Sequence, residues 1–187
     1  MIRSLIAAFA VTAVFALPAV AQTAQAPKLP PNVDPQNAII MQTTKGPVVF
    51  VLRPDIAPKH AERIKQLARE GFYDNVPFHR VIDRFMAQTG DGQYGNGTGG
   101  SRYPDLPAEF SNVPFTRGTV GMARAQSPNS ANSQFFITFG DASFLNGQYT
   151  VIGQVVSGME NVDKLKRGEP VQNPDKIVSM KVAADVK

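Results

Sequence analysis

The sequence predicts a mainly-β domain: about eight short strands and two helices, forming a closed or nearly closed antiparallel barrel. Runs of β-forming residues recur with turn signals between them about every 8–12 residues, a spacing typical of sandwiches and barrels. Strands and helices do not alternate as they do in βαβ units. With only two helices available, we expect them to cover the open ends of the barrel. No supersecondary unit repeats along the 187 residues.

The predicted strands alternate with turn-forming residues along the chain. A hairpin joins the first two at residues 44–47, and a tight polar turn at Asp83-Arg84 joins the third and fourth. The eight strands are predicted at residues 39–43, 48–52, 78–82, 85–89, 119–125, 134–139, 149–156 and 177–182.

Two segments have the pattern of amphipathic helices. The first begins at Asp55 or Pro58 and ends near Glu70, where Gly71 follows. Spacing puts His60 away from its buried stripe, which consists of Ile64, Leu67 and Ala68. The second helix is predicted at residues 159–167, with its inward side chains at Val162 and Leu165.

Residues 1–21 have the composition of a secretory signal peptide. Arg3 forms a short basic start, residues 5–17 are almost wholly apolar, and Ala19-Val20-Ala21 supplies small residues for cleavage before Gln22. The alternative is a membrane anchor, but the run is shorter than the roughly 20 apolar residues that span a bilayer. Cleavage lowers the net charge from +4 to about +3. We therefore expect an exported, periplasmic protein.

The remaining chain divides into a leader and one domain. Residues 22–37 contain four prolines and few apolar side chains, which predicts an extended, mobile leader. Residues 38–187 form the folded domain, and about 150 residues are enough for one substantial core.

Composition excludes several classes of function. The chain has no cysteine, which rules out disulfides, thiolate catalysis, cysteine-ligated zinc and a lipid anchor. Its lysines and arginines are scattered, and the one close group is Lys164, Lys166 and Arg167. A nucleic-acid binder would show a dense basic face, so no nucleic-acid partner is expected. We also expect no membrane contact after cleavage, and a monomer.

Residues 78–91 contain the most informative polar side chains. Arg80 and Gln88 stand among apolar residues on two adjacent predicted strands. A fixed charge in an apolar surface is costly unless it has a task, so Arg80 is the first candidate for a functional residue. His79 points to the opposite face of the strand, where a buried, hydrogen-bonded core residue is expected.

Three other motifs point to weaker alternatives. Gly95, Gly97 and Gly100 match the dinucleotide fingerprint G-x-G-x-x-G, but Pro104 and Pro107 prevent the helix that this fingerprint needs, so a surface loop is expected. A serine hydrolase needs a base histidine and often a G-x-S-x-G elbow; the chain has two histidines and no such elbow. Two unrelated histidines are also too few for a zinc site.

Two further segments could form walls beside Arg80. In residues 134–137, alternation places Gln134 and Phe136 on one face of a strand and Phe135 and Ile137 on the other. Neither face is plainly directed to solvent, which suggests a core on one side and a groove on the other. Phe144 and Leu145 lie in a loop, where large apolar residues normally avoid water. Each segment alone is also compatible with ordinary packing.

Seven motifs carry a resemblance to a known family. They are FHRVI at 78–82, FMAQTGD at 85–91, GTGG at 97–100, MARA at 122–125, PNS at 128–130, SQFFI at 133–137 and FLNG at 144–147. In this order, from about residue 38 to 182, they resemble the signature of cyclophilin-type peptidyl-prolyl isomerases. MARA and Phe144 are similar to exported bacterial members. The resemblance implies a closed eight-stranded antiparallel barrel capped by two α-helices.

The resemblance also implies roles for individual residues. Arg80 corresponds to the catalytic arginine, and Gln88 to the glutamine that holds the substrate backbone. The pocket for the proline ring corresponds to Phe85, Met86, Phe136 and Leu145. The rim along which the peptide runs corresponds to Ala123, Arg124, Ala125 and Gln134.

Two substrate-binding positions depart from the eukaryotic pattern. Phe144 stands where many members have tryptophan, and Tyr149 where many have histidine. Because Phe144 lacks the indole N–H donor, we expect weakened binding of cyclosporin, a family inhibitor. Catalysis is not affected, because neither group touches the amide.

The function implied is prolyl isomerisation during folding of exported proteins. Its partners would be unfolded or newly exported polypeptides with X-Pro bonds, and the reaction requires no covalent intermediate, metal or cofactor. The alternative is a peptide-binding module or holdase chaperone that uses the same apolar groove without turnover. Arg80 discriminates between them, because a pure binder gains little from a buried cation.

Overall fold

The computed structural model describes residues 29–186. The predicted signal peptide and residues 22–28 of the predicted leader lie outside the described residues. The rest of the leader contains two turns and contacts the domain at its end. The carbonyl of Pro35 accepts a hydrogen bond from the Ala184 N–H at 3.1 Å, and that of Asn37 accepts one from Leu52 at 2.7 Å.

Eight strands form, one from each of the eight predicted runs. Only the eighth has the predicted bounds; the other seven differ by up to three residues at an end, and the largest difference is at the fifth strand, which ends at Met122. The strands are β1 (Ala38–Thr43), β2 (Gly46–Leu52), β3 (Arg80–Ile82), β4 (Met86–Thr89), β5 (Thr119–Met122), β6 (Phe135–Thr138), β7 (Val151–Ser157) and β8 (Ile177–Val182).

All strand pairs are antiparallel, and the strands form one sheet in the order β3-β4-β6-β5-β7-β2-β1-β8. No ladder joins β3 to β8, so the prediction of a closed barrel is wrong; the sheet is a curled half-barrel. The irregular segment 168–176 lies along the open edge. It makes isolated bridges between Val81 and Gly168 and between Pro77 and Lys176. Proline has no N–H to extend a ladder at that point.

Two α-helices pack on this sheet: α1 (Pro58–Arg69) and α2 (Met159–Asp163). The predicted stripe of α1 is confirmed, because Ile64, Leu67 and Ala68 are all buried. Among the described residues, no helix is long and apolar enough to cross a membrane.

The second helix is shorter than the predicted 159–167, although Val162 and Leu165 are buried as expected. Hydrogen bonds to side chains take the place of backbone helical bonds beyond Asp163. The Lys166 N–H donates to the carboxylate of Asp175 at 2.9 Å, and the Arg167 guanidinium donates to the carbonyls of Asp163 and Leu165.

His60 is fully buried, and the prediction that it lies away from the buried stripe of α1 is wrong: it comes four residues before Ile64 and seven before Leu67, spacings that put it on the same helix face. Its Nδ1 lies 2.6 Å from Glu109, whose carboxylate also accepts hydrogen bonds from the N–H groups of Lys59 and His60. Burial lowers the pKa of His60, which therefore donates as a neutral ring. The periodicity of the helix could not show that Glu109, 49 positions away, pairs with His60.

The buried apolar residues form two clusters. The larger one lies between the sheet and α1 and includes Phe135 and Ile137. The smaller one lies on the other face of β4 and β6 and consists of Met86, Phe115, Phe136, Ala142, Leu145 and Val151. The alternation predicted for residues 134–137 is thus confirmed, and the smaller cluster is the floor of the site described next.

Candidate active site

Strand register brings the candidate residues into one row. Arg80 of β3 pairs with Gln88 of β4, Gln88 pairs with Phe136 of β6, and Phe136 pairs with Gly121 of β5. Residues directly opposite in antiparallel strands point to the same face of a sheet. The cation, the amide and the aromatic ring therefore project from the same face, although they are separated by up to 56 positions in sequence.

Gly121 leaves room for the aromatic part of this row. A Cβ at this position would lie 2.6 Å from the rings of both Phe115 and Phe136. Without that atom the two rings stack with centroids 5.6 Å apart, and Tyr149 packs edge-on to Phe136 at 5.8 Å. The ring of Phe136 is thus fixed from both sides.

A cavity of about 410 Å³ opens over this ring, with an apolar floor and polar side chains on its walls. Its floor is buried, whereas Phe144 on its rim is 64% exposed and contacts Phe85 with ring centroids 5.2 Å apart. Phe144 and Leu145 belong to a 3-10 turn, Ser143–Leu145, in the loop before β7. The lining consists of Arg80, Phe85, Met86, Gln88, Ala123, Arg124, Phe136, Phe144, Leu145, Gln148 and Tyr149.

A polar cavity of about 430 Å³ adjoins it and shares Gln88, Ala123 and Arg124 with it. The two remaining candidates, Ala125 and Gln134, line this second cavity. We call the two cavities together the groove. Every residue selected from the sequence as a site candidate therefore lies in one continuous region, at one or both cavities.

A chain of polar contacts crosses the groove. An Nη of Arg80 lies 3.4 Å from Oε1 of Gln88, and Nε2 of Gln88 donates to Oε1 of Gln134 at 3.0 Å. Nε2 of Gln134 donates in turn to the carbonyls of Gly97 and Gly99, at 3.0 and 2.8 Å. The two glutamine amides are thereby held between a guanidinium at one end and backbone carbonyls at the other.

Arg80 is ion-paired with Glu169, a contact that the sequence did not indicate. Its Nε lies 2.5 Å from Oε1 of Glu169, and both side chains are partly exposed at the edge of the groove. The sequence pattern suggested a cation isolated among apolar residues. The structure shows instead that the charge of Arg80 is paired. No spacing rule could have linked two positions 89 residues apart.

Arg124 fixes the rim between the two cavities. Its guanidinium donates to the carbonyls of Ala125, Gln126 and Gln148 at 3.0–3.2 Å and lies 4.5 Å above the ring of Tyr149. The side chain thus ties the segment after β5 to the loop before β7, and Gln148 is a lining residue that the sequence did not indicate.

His79 is buried behind Arg80, as alternation predicts. The hydrogen bonding expected of it is not found: neither ring nitrogen has a partner among the described residues. Its Nε2 packs against Gly97, where a Cβ would lie 2.9 Å away. Burial lowers the pKa of His79, so the ring is a neutral core residue.

The glycine-rich segment is a loop built around Asp91, and no helix follows it, as predicted. The Asp91 carboxylate accepts hydrogen bonds from five backbone N–H groups at 2.9–3.1 Å, those of Gln93, Tyr94, Asn96, Gly97 and Gly99. Burial alone would raise its pKa, but these bonds outweigh burial and lower the pKa to about 2. The loop in turn presents the carbonyls that hold Gln134.

The comparison of sequences identifies one family. Residues 38–182 match the sequence model described as "Cyclophilin type peptidyl-prolyl cis-trans isomerase/CLD". A "Probable peptidyl-prolyl cis-trans isomerase" of Brucella suis is 60% identical over 169 residues, covering 82% of this chain and 86% of the relative. "Peptidyl-prolyl cis-trans isomerase B" of Escherichia coli is 39% identical over 136 residues, covering 68% of this chain and 83% of the relative.

Solved structures of two cyclophilins are similar to this fold. Cyclophilin AquaCyp293 of Hirschia baltica has a TM-score of 0.77 at 30% identity, covering 83% of this chain and 77% of that one. A Cryptosporidium parvum cyclophilin type peptidyl-prolyl cis-trans isomerase, crystallised in the presence of the dipeptide Ala-Pro, has a TM-score of 0.72 at 28% identity. That alignment covers 78% of this chain and 98% of the other.

We predict that Asp91→Asn loosens the glycine-rich loop and lowers the free energy of unfolding by about 1–2 kcal/mol. An amide has one acceptor oxygen in place of two, so N–H groups of the loop lose their partner. Amide hydrogen exchange should quicken at Asn96, Gly97 and Gly99, whereas Asp105→Asn, at a more exposed lining residue, should leave these amides unchanged.

The same variant should alter the response to acid. Because folding lowers the pKa of Asp91, its stabilisation is present above the ordinary value of 3.8 and is lost as the pH falls through about 2. The difference in stability between wild type and Asp91→Asn should therefore shrink below about pH 4. A difference that stays constant from pH 7 to pH 2 would contradict this role.

Proposed function

This chain belongs to the family of cyclophilin-type peptidyl-prolyl cis-trans isomerases, and from that premise we propose how it acts and on which polypeptides. The activity is isomerisation of X-Pro peptide bonds. We propose that Arg80 stabilises the twisted amide through the prolyl nitrogen, that the groove holds the chain on either side, and that the clients are exported proteins during folding.

The cavity over Phe136 suits a proline ring, because its floor is apolar. Met86, Phe136 and Leu145 form a floor that is at least 93% buried, and the cavity opens directly beside Arg80. The similar Cryptosporidium protein was crystallised with Ala-Pro, which supports a prolyl ligand in a groove of this kind. A ring seated on Phe136 brings the X-Pro bond to the row of Arg80 and Gln88.

The barrier to be lowered is set by amide resonance, at about 18–20 kcal/mol. As the bond twists, the prolyl nitrogen becomes pyramidal and its lone pair becomes free to accept a hydrogen bond. A guanidinium aimed at that nitrogen binds the twisted state more tightly than either planar isomer, which is the condition for catalysis. Arginine suits this role because it stays charged and presents a rigid fork of donors.

Arg80 cannot supply the whole acceleration. One hydrogen bond to a charged group contributes about 1.5–3 kcal/mol, whereas a millionfold acceleration needs about 8 kcal/mol. We assign the remainder to exclusion of water by the aromatic walls and to holding one side of the peptide while the other side rotates. Gln88, Gln134 and the segment 123–125 supply donors and acceptors for that hold.

The cellular setting is inferred from residues 1–21. Their basic start, apolar stretch and Ala19-Val20-Ala21 support export and cleavage before Gln22. We therefore propose that the mature enzyme begins at Gln22 and works in the periplasm, on newly translocated chains whose X-Pro bonds limit folding.

We predict that Arg80→Ala lowers kcat/KM for a short X-Pro peptide by about a hundredfold or more, because it removes a preorganised donor from the twisted state. The melting temperature should change little, since Arg80 is partly exposed and its ion pair lies at the surface. Protease-coupled isomerisation and thermal unfolding measure the two effects.

Arg80→Lys is the matched variant, because it keeps the charge and loses the planar fork. It should recover only a small part of the activity. Near-normal turnover by Arg80→Ala would contradict the assigned role. If Arg80→Ala loses its fold as well as its activity, the activity of Arg80→Lys tests the role of Arg80 instead.

For export, we predict that the full-length chain expressed in a Gram-negative host gives a periplasmic protein with Gln22 at its N-terminus. Cell fractionation followed by N-terminal sequencing measures this. An Ala19→Asp, Ala21→Asp double variant should block cleavage and leave the precursor. A wild-type protein that stays in the cytoplasm with residues 1–21 attached would refute the proposed setting.

A further inference from the structure

We propose that Glu169 is a positioning residue for catalysis, which holds the guanidinium of Arg80 so that its two Nη groups face the groove. This inference rests on the proposed role of Arg80 and extends it. Glu169 lines neither cavity, and in the proposed mechanism it does not contact the peptide.

The backbone places Glu169 beside Arg80 through pairing at the open edge of the sheet. The N–H and carbonyl groups of Val81 and Gly168 exchange two hydrogen bonds of 2.8 Å, and the Val171 N–H donates to the carbonyl of His79 at 3.0 Å. These bonds flank Glu169 on both sides and join its segment to β3 next to Arg80. The backbone on both sides of Glu169 is therefore held in place by hydrogen bonds to β3 and the residue before it.

The contact with Glu169 uses the Nε–H donor and leaves the Nη donors free to face the groove. Glu169 accepts from Nε at 2.5 Å, while the groove-side contact to Gln88 is made by an Nη. Because the guanidinium is planar and rigid, fixing the Nε–H direction also fixes the directions of the Nη donors. A long side chain is thus restricted to one orientation before the peptide arrives.

Stability alone is a weak reason for this ion pair. The two side chains are 37% and 56% exposed, and ion pairs of that exposure add little to the free energy of unfolding. A carboxylate beside the cation also lowers its net positive field in the groove. An effect of Glu169 on catalysis must therefore come through orientation, and removing it should slow the reaction rather than accelerate it.

The test compares Glu169→Ala, Glu169→Gln and Asp83→Asn in the same isomerisation assay. Glu169→Ala should lower kcat/KM about tenfold, because the guanidinium is no longer held in line. Glu169→Gln keeps an acceptor oxygen at the same reach and should recover to within about threefold of wild type. Melting temperatures should shift by less than about 2 °C.

Asp83→Asn is the matched control. It removes one negative charge from an exposed carboxylate at the neighbouring turn, which pairs with Arg167 and not with Arg80. Its activity should stay at the wild-type value. An equal loss of activity in Asp83→Asn would mean that net charge, and not the contact with Arg80, explains the effect, and would overturn the proposal.

A double-variant cycle separates this inference from the proposed role of Arg80. In an Arg80→Ala background, Glu169→Ala should cause no further loss, since the group it positions is gone. If Arg80→Ala itself keeps normal activity, the proposed function of Arg80 fails. If Arg80→Ala is impaired while Glu169→Ala is unchanged or faster, the role of Arg80 stands and that of Glu169 is refuted.

A spectroscopic signature reports on the contact itself. The Arg80 Nε–H proton should exchange slowly and give a sharp NMR resonance in wild type and in Asp83→Asn. In Glu169→Ala this resonance should broaden or disappear, because the proton is exposed to water. A resonance that is unchanged in Glu169→Ala would show that another group orients Arg80 and would overturn the proposal.

Discussion

The alignment of β3, β4, β6 and β5 is the constraint on which the rest of the site depends. It puts Arg80, Gln88 and Phe136 in one row on one face of the sheet, with Gly121 leaving space at the end of the row. Because side chains alternate along a strand, a shift of one residue in any of these pairs would turn the affected side chains into the main core. The cation, the amide and the apolar floor can meet only in this register.

Two kinds of interaction meet along that row, and each supports the other. In the proposed mechanism, the apolar floor alone would hold a proline ring without catalysis, as a peptide-binding module or holdase would. The polar chain from Glu169 through Arg80, Gln88 and Gln134 to the Asp91 loop orients donors over the same floor. In the proposed mechanism, the floor determines where the X-Pro bond lies, and the polar chain determines that its twisted form is bound more tightly than its planar forms.

The sequence predicted the local features well and the long-range contacts poorly. Alternation in residues 134–137, the turn at Arg84 with its φ of 60°, and the eight strands follow from neighbouring residues, and the structure contains them. The pairing of His60 with Glu109 joins positions 49 apart, the ion pair of Arg80 with Glu169 joins positions 89 apart, and the open edge lies between β3 and β8, which are farther apart still. Those contacts are fixed by tertiary packing, which no local pattern encodes. The family resemblance assigned the candidate residues to one site, but Glu169 was not among them.

The most direct test of the central claim measures binding and turnover separately on one X-Pro peptide. NMR exchange spectroscopy on wild type and Arg80→Ala gives the dissociation constants of the cis and trans forms and the rate of interconversion on the enzyme. If Arg80 acts on the twisted amide, the dissociation constants should change by less than about threefold while the rate on the enzyme falls by about a hundredfold. A loss of affinity equal to the loss of rate would contradict the account, because Arg80 would then bind the planar and twisted forms alike.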